Sequence, residues 1–248
     1  MLGAALLVSV AACGGDDAPA TSTPEGPLTV FAAASLTESF TALAEAFTEE
    51  HPDVSVTTNF AASSELVTQI TQGAPADVYA AADEANMRRL VDADEADGEP
   101  VPFATNRLQI IVEAGNPLGI ERLDDLADPD LVFVTAAPEV PIGRYASEVL
   151  DAAGVTVTPR SLEENVRGVV GRVVLGEADA GIVYATDVLA AGDRAAGVDI
   201  PDELGVVARY PIAVTAASAN PVTARAFVDF VTSDAGRSIL AELGFGPP

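Results

Sequence analysis

The sequence predicts an α/β protein of two lobes, each a mostly parallel sheet flanked by helices, with a ligand cleft between them. Three observations predict it. Short apolar runs that read as buried strands alternate with amphipathic segments of helical period. This rhythm comes as two series separated by an acidic, Pro-containing break at 92–102. The 248 residues, 49% of them hydrophobic, suffice for two modest domains with cores of their own.

In the first series, 28–33 reads as a buried strand. Ser35-Leu-Thr-Glu38 then matches a capping box, and Phe40, Leu43, Ala44 and Phe47 recur at helical spacing. A second strand is expected at 54–60. A helix opens at Ser63 or Ser64 and runs to about Gln72, where Gly73 supplies a C-terminal stop. A third strand is expected at 77–81, with Asp83 capping the helix after it. Strand-helix-strand order of this kind implies parallel pairing with right-handed crossovers. In the second series, a strand at 107–112 leads to the turn Gly115-Asn-Pro-Leu-Gly119. Strands at 131–135 and 180–184 flank helices at 145–153 and 166–175, the latter ending at Gly176. A strand at 210–215 and helices at 221–232 and 234–242 close the chain. We expect 28–106 plus 210–248 to form one lobe and 107–209 the other.

Ahead of the folded part, residues 2–12 are an apolar run too short to span a bilayer. They lead into Val10-Ala11-Ala12-Cys13-Gly14, which resembles a bacterial lipoprotein signal, residues 1–13, with Cys13 as the lipidated residue. A positively charged leading segment is missing. Cys13 is the only cysteine, so an internal disulfide is excluded. Residues 14–27 are polar and rich in Pro and Gly and read as a disordered tether. The expected location is extracytoplasmic, on a lipid anchor.

Composition removes several functions. A net charge of −26 argues against nucleic-acid binding, which needs a basic face to displace counterions. The chain has no lysine, which excludes Schiff-base chemistry and a phosphate-loop lysine. One histidine, His51, and one thiol cannot build a zinc site of the usual kind. A serine hydrolase using Ser35 would have only a carboxylate or His51 as base, so the chain is read as a non-enzyme.

In open α/β sheets ligands sit beyond the carboxyl ends of strands, where helices begin. The positions there are Ala34-Ser35, Ala61-Ala62-Ser63-Ser64, Ile142-Gly143, Asn165-Val166-Arg167 and Tyr184. Helix starts carry unpaired N–H groups and partial positive charge, which suits an anion, and serine and tyrosine hydroxyls add neutral donors. Ser35 and Ser63 read equally as helix caps, Tyr184 as a half-buried aromatic, and Arg144 and Arg167 as surface charges.

Taken together, the segments say more. Thr29-Val-Phe-Ala-Ala-Ala-Ser-Leu-Thr37, Phe60-Ala-Ala-Ser-Ser64, Gln72-Gly-Ala-Pro-Ala-Asp-Val78, Pro138-Glu-Val-Pro-Ile-Gly-Arg-Tyr-Ala146, Glu164-Asn-Val-Arg-Gly168 and Gly176-Glu-Ala-Asp-Ala-Gly-Ile-Val-Tyr184 stand in this order, followed by Tyr210-Pro211 and Leu243-Gly-Phe245. From Leu28 to Phe245 the chain resembles the periplasmic molybdate-binding proteins of ABC transporters. That resemblance implies a type II periplasmic-binding-protein fold. It also implies capture of molybdate, and of tungstate, by a monomer that delivers the ion to permease subunits and carries no cofactor. The ion would be held by the hydroxyls of Ser35, Ser63 (with Ser64 beside it) and Tyr184 and by the backbone N–H groups of Ile142 and Val166, with no protein ligand on the metal itself. Residue 142 is Ile where the family commonly has Ala, and Ala136-Ala137 stands where Gly-Asp is usual. The alternative is the same fold serving another oxyanion, such as sulfate, or tungstate only.

Overall fold

The computed structural model describes residues 23–204 and 206–248. The expected leader, Cys13 and residues 14–22 of the expected tether lie outside them. The strand after the tether starts earlier than expected. β1 spans Gly26–Ala33, and Glu25 already bonds Thr223, so residues 25–27 belong to the folded body.

β1 lies between two parallel neighbours, β2 (Val54–Ala61) and β3 (Val78–Ala80). Parallel strands need a crossover, and the crossovers are α1 (Thr37–Glu50) and α2 (Ser63–Thr71). α3 (Glu84–Asp92) follows, capped by Asp83, whose Oδ1 accepts the Asn86 N–H at 2.8 Å. The second half repeats the plan. β5 (Phe133–Ala136) runs parallel to β6 (Ser161–Glu163) and β7 (Ala180–Tyr184), with α4 (Pro141–Ala153) and α5 (Val166–Val174) as crossovers.

β4 (Val101–Glu113) joins the halves. Thirteen residues at about 3.3 Å each reach roughly 40 Å, long enough to serve both. From Val101 to Arg107 it pairs antiparallel with β9 (Val207–Val214), and β9 also pairs antiparallel with β3. From Leu108 onward it pairs antiparallel with β7 and with β8 (Ala195–Asp199). Among the described residues the strand order is β2-β1-β3-β9-β4-β7-β5-β6, with β8 on β4. Each half is therefore parallel at its centre, and antiparallel pairing is confined to the strands β3, β4, β7, β8 and β9 at the join. α6 (Ala185–Ala191), α7 (Pro221–Thr232) and α8 (Asp234–Glu242) complete the layers. Phe40, Phe47, Phe103 and Phe227 pack edge to face beneath the first half, with centroids 5.2 Å apart for Phe47–Phe227 and 5.6 Å for Phe40–Phe103.

Several expectations are corrected. The break at 92–102 already contains the start of β4. Pro102 there sits at an irregularity in the β4–β9 register, and alternate burial is lost around it. The capping box at Ser35 is not formed. Ala34–Leu36 is a 3-10 turn and α1 starts at Thr37 with no side-chain cap. Ser63 opens α2 but does not cap it; Ala62 precedes the helix and no side chain caps it. By contrast, the helix expected over 145–153 with Ile142-Gly143 at its start is found as α4, which begins at Pro141, whose fixed φ suits the first helical position.

Candidate functional site

Each half brings two helix starts to the join, and all four meet. β1 delivers the turn with Ser35 and β2 delivers Ser63. The loop after β5 delivers Ile142, and that after β6 delivers Val166. Tyr184, the last residue of β7, lies between them. Ser35, Ser63, Ile142, Val166 and Tyr184 line one small cavity, with a free volume of about 10 Å³. All five are buried, from 0% exposure at Ser63 to 6% at Ser35. The structure thus gathers every residue that the resemblance marked for the ion. Ser64 is buried but does not line this cavity, and neither do Arg144 and Arg167.

The lining carries no charged side chain. Ile142 is the second residue of α4 and Val166 the first of α5, positions whose N–H has no intrahelical acceptor. Both helix starts are pressed onto the preceding loop. A Cβ on Gly143 would stand 2.5 Å from the Ala136 carbonyl oxygen and nearer still to that of Ala137. One on Gly168 would stand 2.9 Å from Glu163 Cβ, while Asn165 caps α5 by accepting the Gly168 N–H at 3.2 Å. The Ala136-Ala137 pair therefore meets α4 through its backbone carbonyls, a contact that needs no side chain at 136 or 137.

The hydroxyls are set from behind. Ser63 Oγ accepts the Ala82 N–H at 3.0 Å, and Tyr79 donates to the Ser63 carbonyl at 2.8 Å. Ser35 Oγ lies 3.3 Å from Tyr210 Oη. Tyr184 Oη is buried with no hydrogen-bond partner. Burial pushes the Tyr184 and Tyr210 phenols well above their ordinary range, so both keep their protons. Hydroxyls and helix starts, with no carboxylate, supply the polar part of the lining.

Around the cavity, two arginines tie the halves together. Arg144, two residues beyond Ile142, donates to the fully buried Asp83 at 2.9 Å and to Glu148 at 3.0 Å. Arg167, next to Val166, pairs with Glu38 and donates through Nε to the Ala34 carbonyl at 3.3 Å. Tyr145 stacks edge-on to Tyr184 and accepts the Arg209 N–H at 3.4 Å. Sequence reading took Arg144 and Arg167 as surface charges and Asp83 as a cap only. Their partners lie 61 and 129 residues away, and no local pattern marks them.

Asp187 was also missed. It is buried in the first turn of α6 and accepts the Tyr184 N–H at 3.1 Å. Burial pushes its carboxyl up to about 7, against the pull of Arg167 and of that N–H. In the unfolded chain it titrates near 3.8, so between about pH 4 and 7 the folded protein holds the extra proton and stability falls as pH rises. Above about 7 the penalty is complete. Asp187→Asn keeps the acceptor without the charge. It is expected to raise the melting temperature, by more at pH 8 than at pH 5, as thermal unfolding at the two pH values will show.

Among the described residues no group of three or more His, Cys, Asp or Glu is placed to hold a bare metal ion, and no helix is long and apolar enough to cross a membrane.

A two-lobed fold with a small, uncharged cavity lined by buried hydroxyls and helix starts at the join defines a binding protein for a small anion. The chain belongs to the bacterial extracellular solute-binding proteins, whose family model matches residues 28–246. It is 43% identical over 254 residues to the molybdate-binding protein ModA of Mycobacterium tuberculosis, an alignment covering all of this chain and 97% of that one. The sulfate-binding protein SubI from Mycobacterium tuberculosis H37Rv superposes with a TM-score of 0.78 at 25% identity, over 89% of this chain and 86% of that one. The Azotobacter vinelandii periplasmic molybdate-binding protein shares the fold, with a TM-score of 0.79 at 20% identity over 89% and 99% of the two chains.

Proposed function

We propose that this protein is a non-enzymatic carrier that captures molybdate, and tungstate with it, outside the cytoplasm for delivery to the permease of an ABC transporter. One lobe is 28–106 with 210–248 and the other 107–209, a division supported by the change of partner along β4 between Arg107 and Leu108. The ion sits among the hydroxyls of Ser35, Ser63 and Tyr184 and the N–H groups of Ile142 and Val166. Cys13 carries a lipid that holds the monomeric protein at the membrane.

The observation that carries this reading is the buried, unpartnered Tyr184 hydroxyl in the lining of a cavity that has hydroxyl and backbone donors and no carboxylate. An unpartnered donor there costs free energy until an acceptor arrives. Molybdate is a tetrahedral dianion at neutral pH and accepts at every oxygen, so it satisfies the set. Hydrogen phosphate brings a proton that such a site leaves unmatched. Five hydrogen bonds to a charged group, at ~1.5–3 kcal/mol each, give ~7–15 kcal/mol gross, against at least ~4 kcal/mol for association. The net charge of −26 does not forbid this, since exposed carboxylates beyond a Debye length of about 8 Å are screened.

Calorimetric titration of the purified protein with molybdate, with sulfate and phosphate as competitors, tests the reading. One-to-one binding that excess sulfate fails to displace is expected, and Ser35→Ala should weaken it about tenfold or more, the range for a hydrogen bond to an ion. Absence of heat with molybdate alongside tight binding of sulfate would replace the ligand and keep the site.

A further inference from the structure

We propose that Tyr210 is a specificity-determining residue that never touches the ion: by donating to Ser35 Oγ it fixes the Ser35 hydroxyl as a donor toward the cavity and thereby excludes protonated oxyanions. The inference rests on the oxyanion-binding reading above and concerns how that site tells one oxyanion from another.

A serine hydroxyl donates one hydrogen bond and accepts two. Left free, it adapts to whichever group the ligand presents, and a pocket of free hydroxyls takes a protonated anion as readily as a bare one. Neither cavity serine is free. Ser63 Oγ receives a backbone N–H, that of Ala82, which can only donate, so its own proton is directed elsewhere. Ser35 has no such backbone partner. Its counterpart is Tyr210 Oη, 3.3 Å away on β9, fully buried and absent from the cavity lining. The direction of that bond follows from what surrounds Tyr210. Among the described residues Ser35 Oγ is the one hydrogen-bond partner of the Tyr210 hydroxyl, and Tyr210 does not line the cavity. Were Ser35 the donor, the buried phenolic proton would have no acceptor, so the phenol donates to Ser35 Oγ and the Ser35 proton is left for the cavity. Tyr210 and Ser35 form a one-way relay of donors ending at the ion. The ring is held by edge-on contacts to Tyr184, Phe103 and Phe245, with centroids 5.7, 6.2 and 5.5 Å away, so its position does not depend on the hydroxyl.

Tyr210→Phe keeps these ring contacts and removes only the relay. Ser35 Oγ then has a vacant acceptor. The experiment is competition calorimetry at pH 8 on wild type, Tyr210→Phe and the Ser35→Ala, Tyr210→Phe double variant, with molybdate displaced by sulfate and by inorganic phosphate. At this pH all three ions are mainly dianions. Sulfate and phosphate are close in size, so the ratio of their inhibition constants reports the ligand proton and not the room in the pocket. In Tyr210→Phe, molybdate binding should weaken severalfold, and the phosphate-to-sulfate ratio should fall at least fivefold toward phosphate. The double variant should lose that gain, because the new acceptor is Ser35 itself. A ratio unchanged in Tyr210→Phe, with all three ions weakened equally, would overturn the proposal and leave Tyr210 a packing residue. So would a gain that persists in the double variant. A wild type that binds none of the three ions would instead overturn the functional reading, a result visible before any variant is compared.

Discussion

Tyr184→Phe is expected to weaken molybdate binding by about ten- to a hundredfold while making the ligand-free protein more stable. A hydrogen bond to an ion is worth ~1.5–3 kcal/mol, and each 1.4 kcal/mol is roughly tenfold in affinity. Phenylalanine retains the ring's packing against Tyr145 and Tyr210 and deletes only the hydroxyl. No group of the described chain bonds that buried hydroxyl, and an unpaired buried donor costs ~1–3 kcal/mol. Its removal should therefore raise the melting temperature by a few degrees. The two effects have opposite signs, which sets this variant apart from general damage to the fold. Calorimetry and thermal unfolding of the same preparation measure both. Wild-type affinity in Tyr184→Phe would show that the phenol does not reach the ion.

Gly143→Ala is expected to be the most damaging single methyl addition in the molecule's binding half-site. Its Cβ would meet two backbone carbonyls, those of Ala136 and Ala137, neither of which can swing away as a side-chain tip could. Overpacking of this kind costs roughly 1–3 kcal/mol. The relief available is a shift of the first turn of α4, which carries the Ile142 N–H away from the cavity. Stability and affinity should fall together, affinity by tenfold or more. Gly171 in α5 supplies the control, because a Cβ there meets nothing within 4 Å. Gly171→Ala should stabilise the protein by about 0.5–1 kcal/mol through helix propensity alone and leave binding untouched. If both variants behaved alike in urea unfolding, the tight seat of α4 would play no part in holding the site.

How much of this was legible in the sequence depended on the range of each signal. The parallel cores were legible because β1 and β7 are short apolar runs followed by helices, a pattern carried by neighbouring residues. The N-terminal half of β4 was not, because Pro102 and half-exposed neighbours break the alternation that marks a strand. β6, with three residues and no apolar run, and β8, Ala-Ala-Gly-Val-Asp, carry too little side chain to announce themselves. The cavity residues were marked by resemblance across several segments; taken singly, Ser35 and Ser63 read as well as caps. The structure gives the physical reason that they are not: each serine oxygen is bonded to a residue outside its own helix, Tyr210 or Ala82. The companions of those residues were out of reach of pattern reading. Asp83 with Arg144, Glu38 with Arg167 and Ser35 with Tyr210 are pairings across 61, 129 and 175 positions.

The placement of the two arginines bears on time as well as affinity. Each follows a cavity-facing N–H by one or two residues, and each grips an acidic partner on the opposite half, Asp83 or Glu38. In the proposed carrier the ion would sit behind a double clasp made of groups that do not line its cavity. Departure would then be gated: both clasps would have to release before the oxyanion could leave, and the opening frequency would belong to the protein and not to the cargo. A weakly held ion and a tightly held one meet the same gate, and they differ in how many openings each survives. The clasps are about one-third exposed on the arginine side, so dissolved salt reaches them. Ionic strength then sets the residence time of the cargo with little effect on which cargo is chosen, and a carrier so built can have its turnover retuned by its surroundings without any change in its taste.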